Sequence, residues 1–181
     1  MSGLPAKIVA VHKALAKARL PHAFGGALAL AWCTERARGT IDIDVNVFVG
    51  AQQSENVFRA LPKAVKWNDS DLAALHRDGQ VRIWWDKTPL DLFLNTTPFH
   101  DDVALRVRWE RFADASIPFL SCQDIAVFKA FFNRTKDWAD IEEMQAAGTL
   151  DAPRVLAVLV EYIGADDERV LRLAEIERAG R

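Results

Sequence analysis

Asp42, Asp44 and Asn46 alternate with Ile41, Ile43, Val45 and Val47 along the chain. Successive side chains of an extended strand point to opposite faces, so the polar residues share one face and the aliphatic residues the other. Two carboxylates about 6 Å apart repel by roughly 3 kcal/mol at an effective dielectric near 20, a cost that a divalent cation reverses. Oxygen donors of this kind suit Mg²⁺ or Mn²⁺. Upstream, His22-Ala23-Phe24-Gly25-Gly26-Ala27-Leu28 runs from an apolar strand through a glycine pair into a helix. Such a turn can aim backbone N–H groups at an anion. Taken singly, the Asp-x-Asp pair also fits two solvated aspartates on a wet strand face, and the glycines fit a plain tight turn. The order favours chemistry: apolar strand, Gly25-Gly26, a helix with Leu28, Leu30 and Trp32, then Arg38-x-Thr40-x-Asp42-x-Asp44.

A third carboxylate stands in a predicted hairpin. Asp78-Gly79 forms a turn, Gln80 to Trp85 reads as a strand, Asp86 to Pro89 as a second turn and Leu90 to Leu94 as the returning strand. Asp91 is a lone charge inside that last apolar run. Burying it without partners is costly, so it either meets a cation or opens onto a cleft, unless it lies on the wet face of an edge hairpin.

The elements that must position these residues predict an α/β (α+β) fold, a mixed sheet flanked by helices with further helices at the C-terminus. Ala6 to Arg19 reads as an amphipathic helix, His22 to Gly25 as a short strand, Ala27 to Cys33 as a helix and Ile41 to Val49 as the strand bearing the aspartates. Gln52 to Leu61 reads as helix, Val103 to Trp109 as a strand, and 122–134 and 137–147 as helices. Asp151-Ala152-Pro153 starts another helix that Gly164 ends, and Asp166 starts the last. This gives a core over 1–120 and a helical region over 121–181 packed on it.

Composition narrows the class. A chain of 181 residues, half of them hydrophobic, can bury a sizeable core. Its formal charge of −2 gives no overall nucleic-acid footprint, so such a partner would need a local basic patch, for which Arg106, Arg108 and Arg111 are candidates, although alternating Arg on a strand is more often just its wet face. Cys33 and Cys122 are too few to imply a disulfide scaffold, and the expected compartment is the cytosol, with no membrane-spanning segment. His12, His22, His76 and His100 lack metal-ligand spacing. Trp84 and Trp85 point to opposite faces, so at least one packs in the core; Trp32, Trp67, Trp109 and Trp138 could stack on a base but are read as core residues, the commoner place for large aromatics.

The Gly25-Gly26 and Asp42-x-Asp44 pattern resembles the nucleotidyltransferase superfamily, whose members include DNA polymerase beta, aminoglycoside and lincosamide nucleotidyltransferases and AbiEii-type toxins. The spacer from Ala27 to Ile41 is slightly longer than the commonest form and similar to the AbiEii-like branch. Gly26 stands where many members have Ser, so a hydroxyl contact to phosphate is missing. A second stretch, Leu120 to Lys129 continuing through Asn133-Arg134-Thr135-Lys136-Asp137-Trp138-Ala139-Asp140-Ile141, resembles the AbiEii-like pattern of a helix bearing a lysine, then a basic residue, then Lys-Asp-x-x-Asp-Ile. Read from the residues alone, Lys129 is equally a snorkelling surface lysine and 134–140 an ordinary salt-bridged helix start with Asp137 or Thr135 as cap.

The resemblance covers roughly residues 20–145 and implies a metal-dependent nucleotidyltransferase, moving a nucleoside monophosphate from an NTP to an acceptor hydroxyl. It implies Asp42, Asp44 and Asp91 as catalytic residues and ligands of Mg²⁺ or Mn²⁺, with Asp91 also the base near the attacking hydroxyl. Gly25, Gly26, Arg38, Thr40, Lys129 and Asp140 would bind the nucleotide. The expected acceptor is RNA or protein, as in a toxin with a cognate antitoxin. A small-molecule (antibiotic-type) acceptor and a catalytically idle nucleotide-binding or protein-interaction module are the alternatives.

Overall fold

The structure, a computed structural model, describes residues 3–36 and 39–180. From the N-terminus the chain passes through helix α1 (Leu4–Lys17), strand β1 (His22–Phe24) and helix α2 (Gly26–Thr34) into strand β2 (Ile43–Gly50). A 3-10 turn, helix α3 (Ser54–Ala60) and helix α4 (Asp69–Asp78) precede the hairpin of β3 (Gln80–Trp85) and β4 (Thr88–Asn95). Helix α5 (Phe99–Ala104) and a second hairpin, β5 (Arg108–Phe112) and β6 (Ala115–Phe119), follow. The chain ends in helices α6 (Cys122–Phe132), α7 (Thr135–Ala146), α8 (Ala152–Ile163) and α9 (Glu168–Ala179).

These elements form two compact units, residues 1–26 with 39–120 and residues 27–38 with 121–181. The first holds a six-stranded mixed sheet in the order β3-β4-β2-β1-β6-β5. β2 runs parallel to β4 and antiparallel to β1, while β3 and β5 close the two edges as hairpin arms. Alternation makes one face of the central strands apolar: Ile43, Val45, Val47, Leu90 and Leu92 are fully buried. α1 packs on this unit through Ile8, Val11 and Leu15 and contacts β1, β6 and α3. Buried Lys7 of α1 donates to the Trp85 carbonyl (2.8 Å) and the Thr88 hydroxyl (3.0 Å) and pairs with Asp86 (3.3 Å). It thereby ties α1 to the tight turn between β3 and β4.

In the second unit α6 packs on α7 and α8, and α9 on α7 and α8, around Trp138, Ile141, Met144, Leu159 and Leu173. α2 is joined to α6 by a Cys33–Cys122 disulfide, with a Cα–Cα distance of 5.5 Å. Two cysteines are too few to imply a disulfide scaffold, and the one bond they form joins residues 89 apart in sequence that tertiary packing brings side by side. Thr149 donates to the Cys33 carbonyl (2.6 Å), a second tie between α2 and the C-terminal helices.

Other elements also differ from expectation. The aspartate strand begins at Ile43, and Ile41 is exposed. Residues 103–109 are not one strand: Val103 is fully buried at the end of α5, and extended structure starts at Arg108. α4 and β6 lie where no element was expected. Asn68 caps α4 in a reciprocal box with Asp71, a signal present in the sequence. The last helix is capped by Asp167 rather than Asp166, and α7 starts at Thr135 with Arg134 at its N-cap, whose amide donates to Asp137. Trp85 is buried and Trp84 exposed, as expected of adjacent residues on opposite faces, and Trp138 is buried; Trp32, Trp67 and Trp109 are exposed, against the expectation of core tryptophans. Among the described residues no helix is long and apolar enough to cross a membrane.

Candidate active site

Register brings the carboxylates of the first unit together. Asp44 on β2 lies directly beside Asp91 on β4, and Arg82 on β3 lies directly beside Asp91 on its other side. The three therefore share the face opposite the aliphatic one. Asp42 precedes β2 and is held by Thr40, whose hydroxyl accepts from the Asp42 amide (3.2 Å) and donates to its carbonyl (3.4 Å). Thr40 thus shapes the approach to the strand through backbone contacts.

The Arg82 guanidinium ties the set. Its Nε and Nη2 each donate to an Asp91 carboxylate oxygen at 2.7 Å, and Nη2 also reaches an Asp42 oxygen at 3.3 Å. The Asp91 side chain is 14% exposed and that of Arg82 51%, so the carboxylate is covered while the cation still meets solvent. Hydrogen bonding to Asp91, reinforced by the charges of Asp91, Asp42 and Asp44, holds the guanidinium pKa above its ordinary value. Arg82 escaped the sequence reading. The signal was there: a two-residue turn at Asp86-Lys87 pairs Trp85 with Thr88, and counting outward puts residue 82 opposite 91.

The glycine turn abuts this set. The Gly25 amide donates to the Asp44 carbonyl (3.0 Å), and Gly26 has φ +56°, where a side chain would both be strained and collide with the Asp44 carboxylate. That close approach accounts for glycine, rather than serine, at position 26.

As a metal site, the donor set is partly committed. Among the described residues no three His, Cys, Asp or Glu side chains form a ready metal cage. Asp44 on β2 and Asp42 just ahead of it have the hard-oxygen chemistry that suits a Mg²⁺ or Mn²⁺ ion. Both oxygens of Asp91 are engaged by Arg82. Beside Arg82 lies an open recess of about 380 Å³ lined by Lys66, Trp67, Asn68, Asp71 and Trp84. Trp67 is stacked on Phe58 with ring centroids 4.7 Å apart.

Lys129 and Asp140 belong to the second unit and meet each other there. Lys129 Nζ pairs with Asp140 at 2.6 Å and with Asp137 at 3.5 Å, and Arg134 Nε pairs with Asp137 at 2.6 Å. The Asp137 side chain is fully buried. Burial raises its pKa, but hydrogen bonds from Arg134 and the charges of Lys129 and Arg134 outweigh it, leaving the carboxyl below its usual value. Arg38 lies outside the described residues. Of the other basic candidates, Arg108 on β5 pairs with Glu110, and Arg106, between α5 and β5, stacks over Phe99.

A mixed sheet bearing these carboxylates beside a glycine turn has the fold of the nucleotidyltransferases. No protein-family model matches the chain, and no curated protein matches it. Similar solved structures include the lincomycin-bound lincosamide antibiotic adenylyltransferase LnuA, with TM-score 0.54 and 14% identity over 78% of this chain and 96% of that one. The antibiotic-resistance factor ANT(2'')-Ia aligns with TM-score 0.57 and 16% identity over 97% of this chain and 91% of that one. An antigenic nucleotidyltransferase-like protein from Paracoccidioides brasiliensis gives 0.53 and 15%, over 95% and 94%. At these identities the likeness is one of fold.

Proposed function

We propose that the chain transfers a nucleoside monophosphate from an NTP to an acceptor hydroxyl. The observation that carries this reading is the convergence of Asp42, Asp44 and Asp91 beside a glycine turn whose backbone touches Asp44. Asp42 and Asp44 would hold Mg²⁺ or Mn²⁺, which when bound neutralises the triphosphate and activates its α-phosphorus. The Gly25 amide is engaged by the Asp44 carbonyl, so a backbone contact to phosphate at this turn would fall to Gly26 at the start of α2. Asp91, oriented by the Arg82 fork, faces the acceptor hydroxyl and takes its proton. Pyrophosphate leaves. Of the nucleotide contacts implied by resemblance, those of Lys129 and Asp140 compete with the ion pair the two already make.

For the acceptor, the recess favours a small molecule. Two exposed indoles, Trp67 and Trp84, with Asn68, Asp71 and Lys66 between them, offer apolar faces and hydrogen-bonding groups beside Arg82. The antibiotic-modifying neighbours agree with that reading. An AbiEii-type toxin acting on RNA or protein, partnered by an antitoxin, is the second reading and is supported by the sequence pattern from Lys129 to Asp140. Incubation with Mg²⁺ and each α-labelled NTP, alongside total RNA, protein extract and a panel of small hydroxyl compounds, decides between them. Label is expected in the small-molecule pool and absent with Asp44→Asn. Label in RNA or protein favours the toxin reading. Equal background in all pools for both proteins removes nucleotidyl transfer and leaves the idle module.

A further inference from the structure

We propose that Arg82 is the resident cation of the carboxylate set, occupying the place of a second metal ion, so that the site takes one divalent ion rather than two. The inference rests on the nucleotidyl-transfer reading above and specifies how its charges are arranged. The tight turn closing the β3–β4 hairpin fixes Arg82 opposite Asp91, and buried Lys7 pins that turn through the Trp85 carbonyl and Thr88 hydroxyl. The register cannot slip by one residue without sending Arg82 to the other face. The planar fork meets both Asp91 oxygens at 2.7 Å, the bidentate geometry in which guanidinium and carboxylate are most strongly matched. Its Nη2 reaches Asp42 as well, at 3.3 Å, so one cation spans two of the three carboxylates.

An ion shared between Asp91 and the Asp42–Asp44 pair would need the same carboxylate oxygens and would sit within like-charge range of a group that does not lose its proton. Asp91 is well covered, which weakens solvent screening of that repulsion. Asp44 lies on the far side of Asp91 from Arg82 in the strand order, and on the functional reading above it would hold, with Asp42, the one ion that enters with the triphosphate. Arg82 is therefore a positioning residue: it holds Asp91 toward the acceptor and supplies a fixed positive charge where other arrangements would use a second metal.

The test counts ions. Mn²⁺ bound per nucleotide is measured by electron paramagnetic resonance for the full chain saturated with a nonhydrolysable NTP analogue, in the natural protein, in Arg82→Gln and in Arg82→Lys. One Mn²⁺ is expected for the natural protein and for Arg82→Lys, which keeps the charge, and two for Arg82→Gln. Two ions in the natural protein, or one in folded Arg82→Gln, overturn the role of Arg82 and leave nucleotidyl transfer standing. Failure of every protein to retain the Mn²⁺–nucleotide complex overturns the functional reading itself, and the inference with it. Should Arg82→Gln not fold, the count in the natural protein still decides.

Discussion

Two clusters of charge stand in the two units, and their charge balance separates them. In the second unit, carboxylates Asp137 and Asp140 meet cations Lys129 and Arg134, and the Asp137 side chain is fully buried. In the first, the carboxylates Asp42, Asp44 and Asp91 gather around the Arg82 guanidinium, a formal surplus of two negative charges among those four side chains, with Asp42 a third exposed and Arg82 half exposed. A matched, buried cluster is a structural device whose members are costly to remove singly. A surplus cluster open to solvent instead carries repulsion that a metal and its ligand relieve. Carboxylate content alone does not mark a site; exposure of the carboxylates and the balance of charge around them do.

The largest effect expected from this contrast is at Asp44. Asp44→Asn reduces transfer by roughly a hundredfold to a thousandfold, the scale of losing one organised electrostatic group. Its melting temperature stays level or rises, because one of the repelling charges is gone. Turnover and calorimetry on the same preparation check both halves; a variant that melts lower and keeps its activity would make the first cluster structural.

Lys129→Met tests the opposite side of the contrast. Removing one cation from a buried, matched set costs about 3 kcal/mol, or roughly 6–12 °C in melting temperature for a chain of this size. Nucleotide KM measured below the transition is expected to stay near that of the natural protein. An unchanged melt with a raised KM would instead give Lys129 the phosphate contact implied by resemblance.

Gly26→Ala ranks next. A left-handed residue with a Cβ costs about 1–2 kcal/mol, and the added methyl displaces the Asp44 carboxylate. Activity is therefore expected to fall further than stability does, and comparing the two losses by kinetics and denaturant melts checks it.

Acid probes the matched cluster directly. The folded-state pKa of Asp137 lies below its ordinary value of 3.8, so its contribution is fully present above that pH and is lost as the pH falls through the lowered value. Stability measured down that range should decline less steeply in Asp137→Asn. The smallest effect is at Lys136, exposed on α7, where alanine should change stability by less than about 0.5 kcal/mol.

The first cluster was more legible in the sequence than the second. Alternation around Asp42 and Asp44 and the turn residues of the 80–94 hairpin are local signals, and they locate β2, β3 and β4 closely. Arg82 needed one further step, counting register across a tight turn. The pairing of Lys129 with Asp140 spans 11 residues and two helices, so its partner depends on how α6 and α7 pack, and periodicity could say only that the lysine bordered an apolar stripe. The same blindness hid the Cys33–Cys122 bond. Between 103 and 109 the alternation Val103, Leu105, Val107 copied a strand, but the local pattern yielded to the burial of Val103 at the end of a helix.

The second unit is discontinuous: residues 27–38 belong with 121–181 and carry one cysteine of its disulfide. A fragment beginning at Ser121 would start one residue before an orphaned thiol and would lack the Thr149 anchor on the Cys33 carbonyl. Cutting the protein at that junction to obtain a separate C-terminal piece should yield material prone to aggregate or to cross-link through Cys122. Supplying residues 27–38 as a peptide, or relocating them through a short linker ahead of Ser121, offers the way to isolate that half intact.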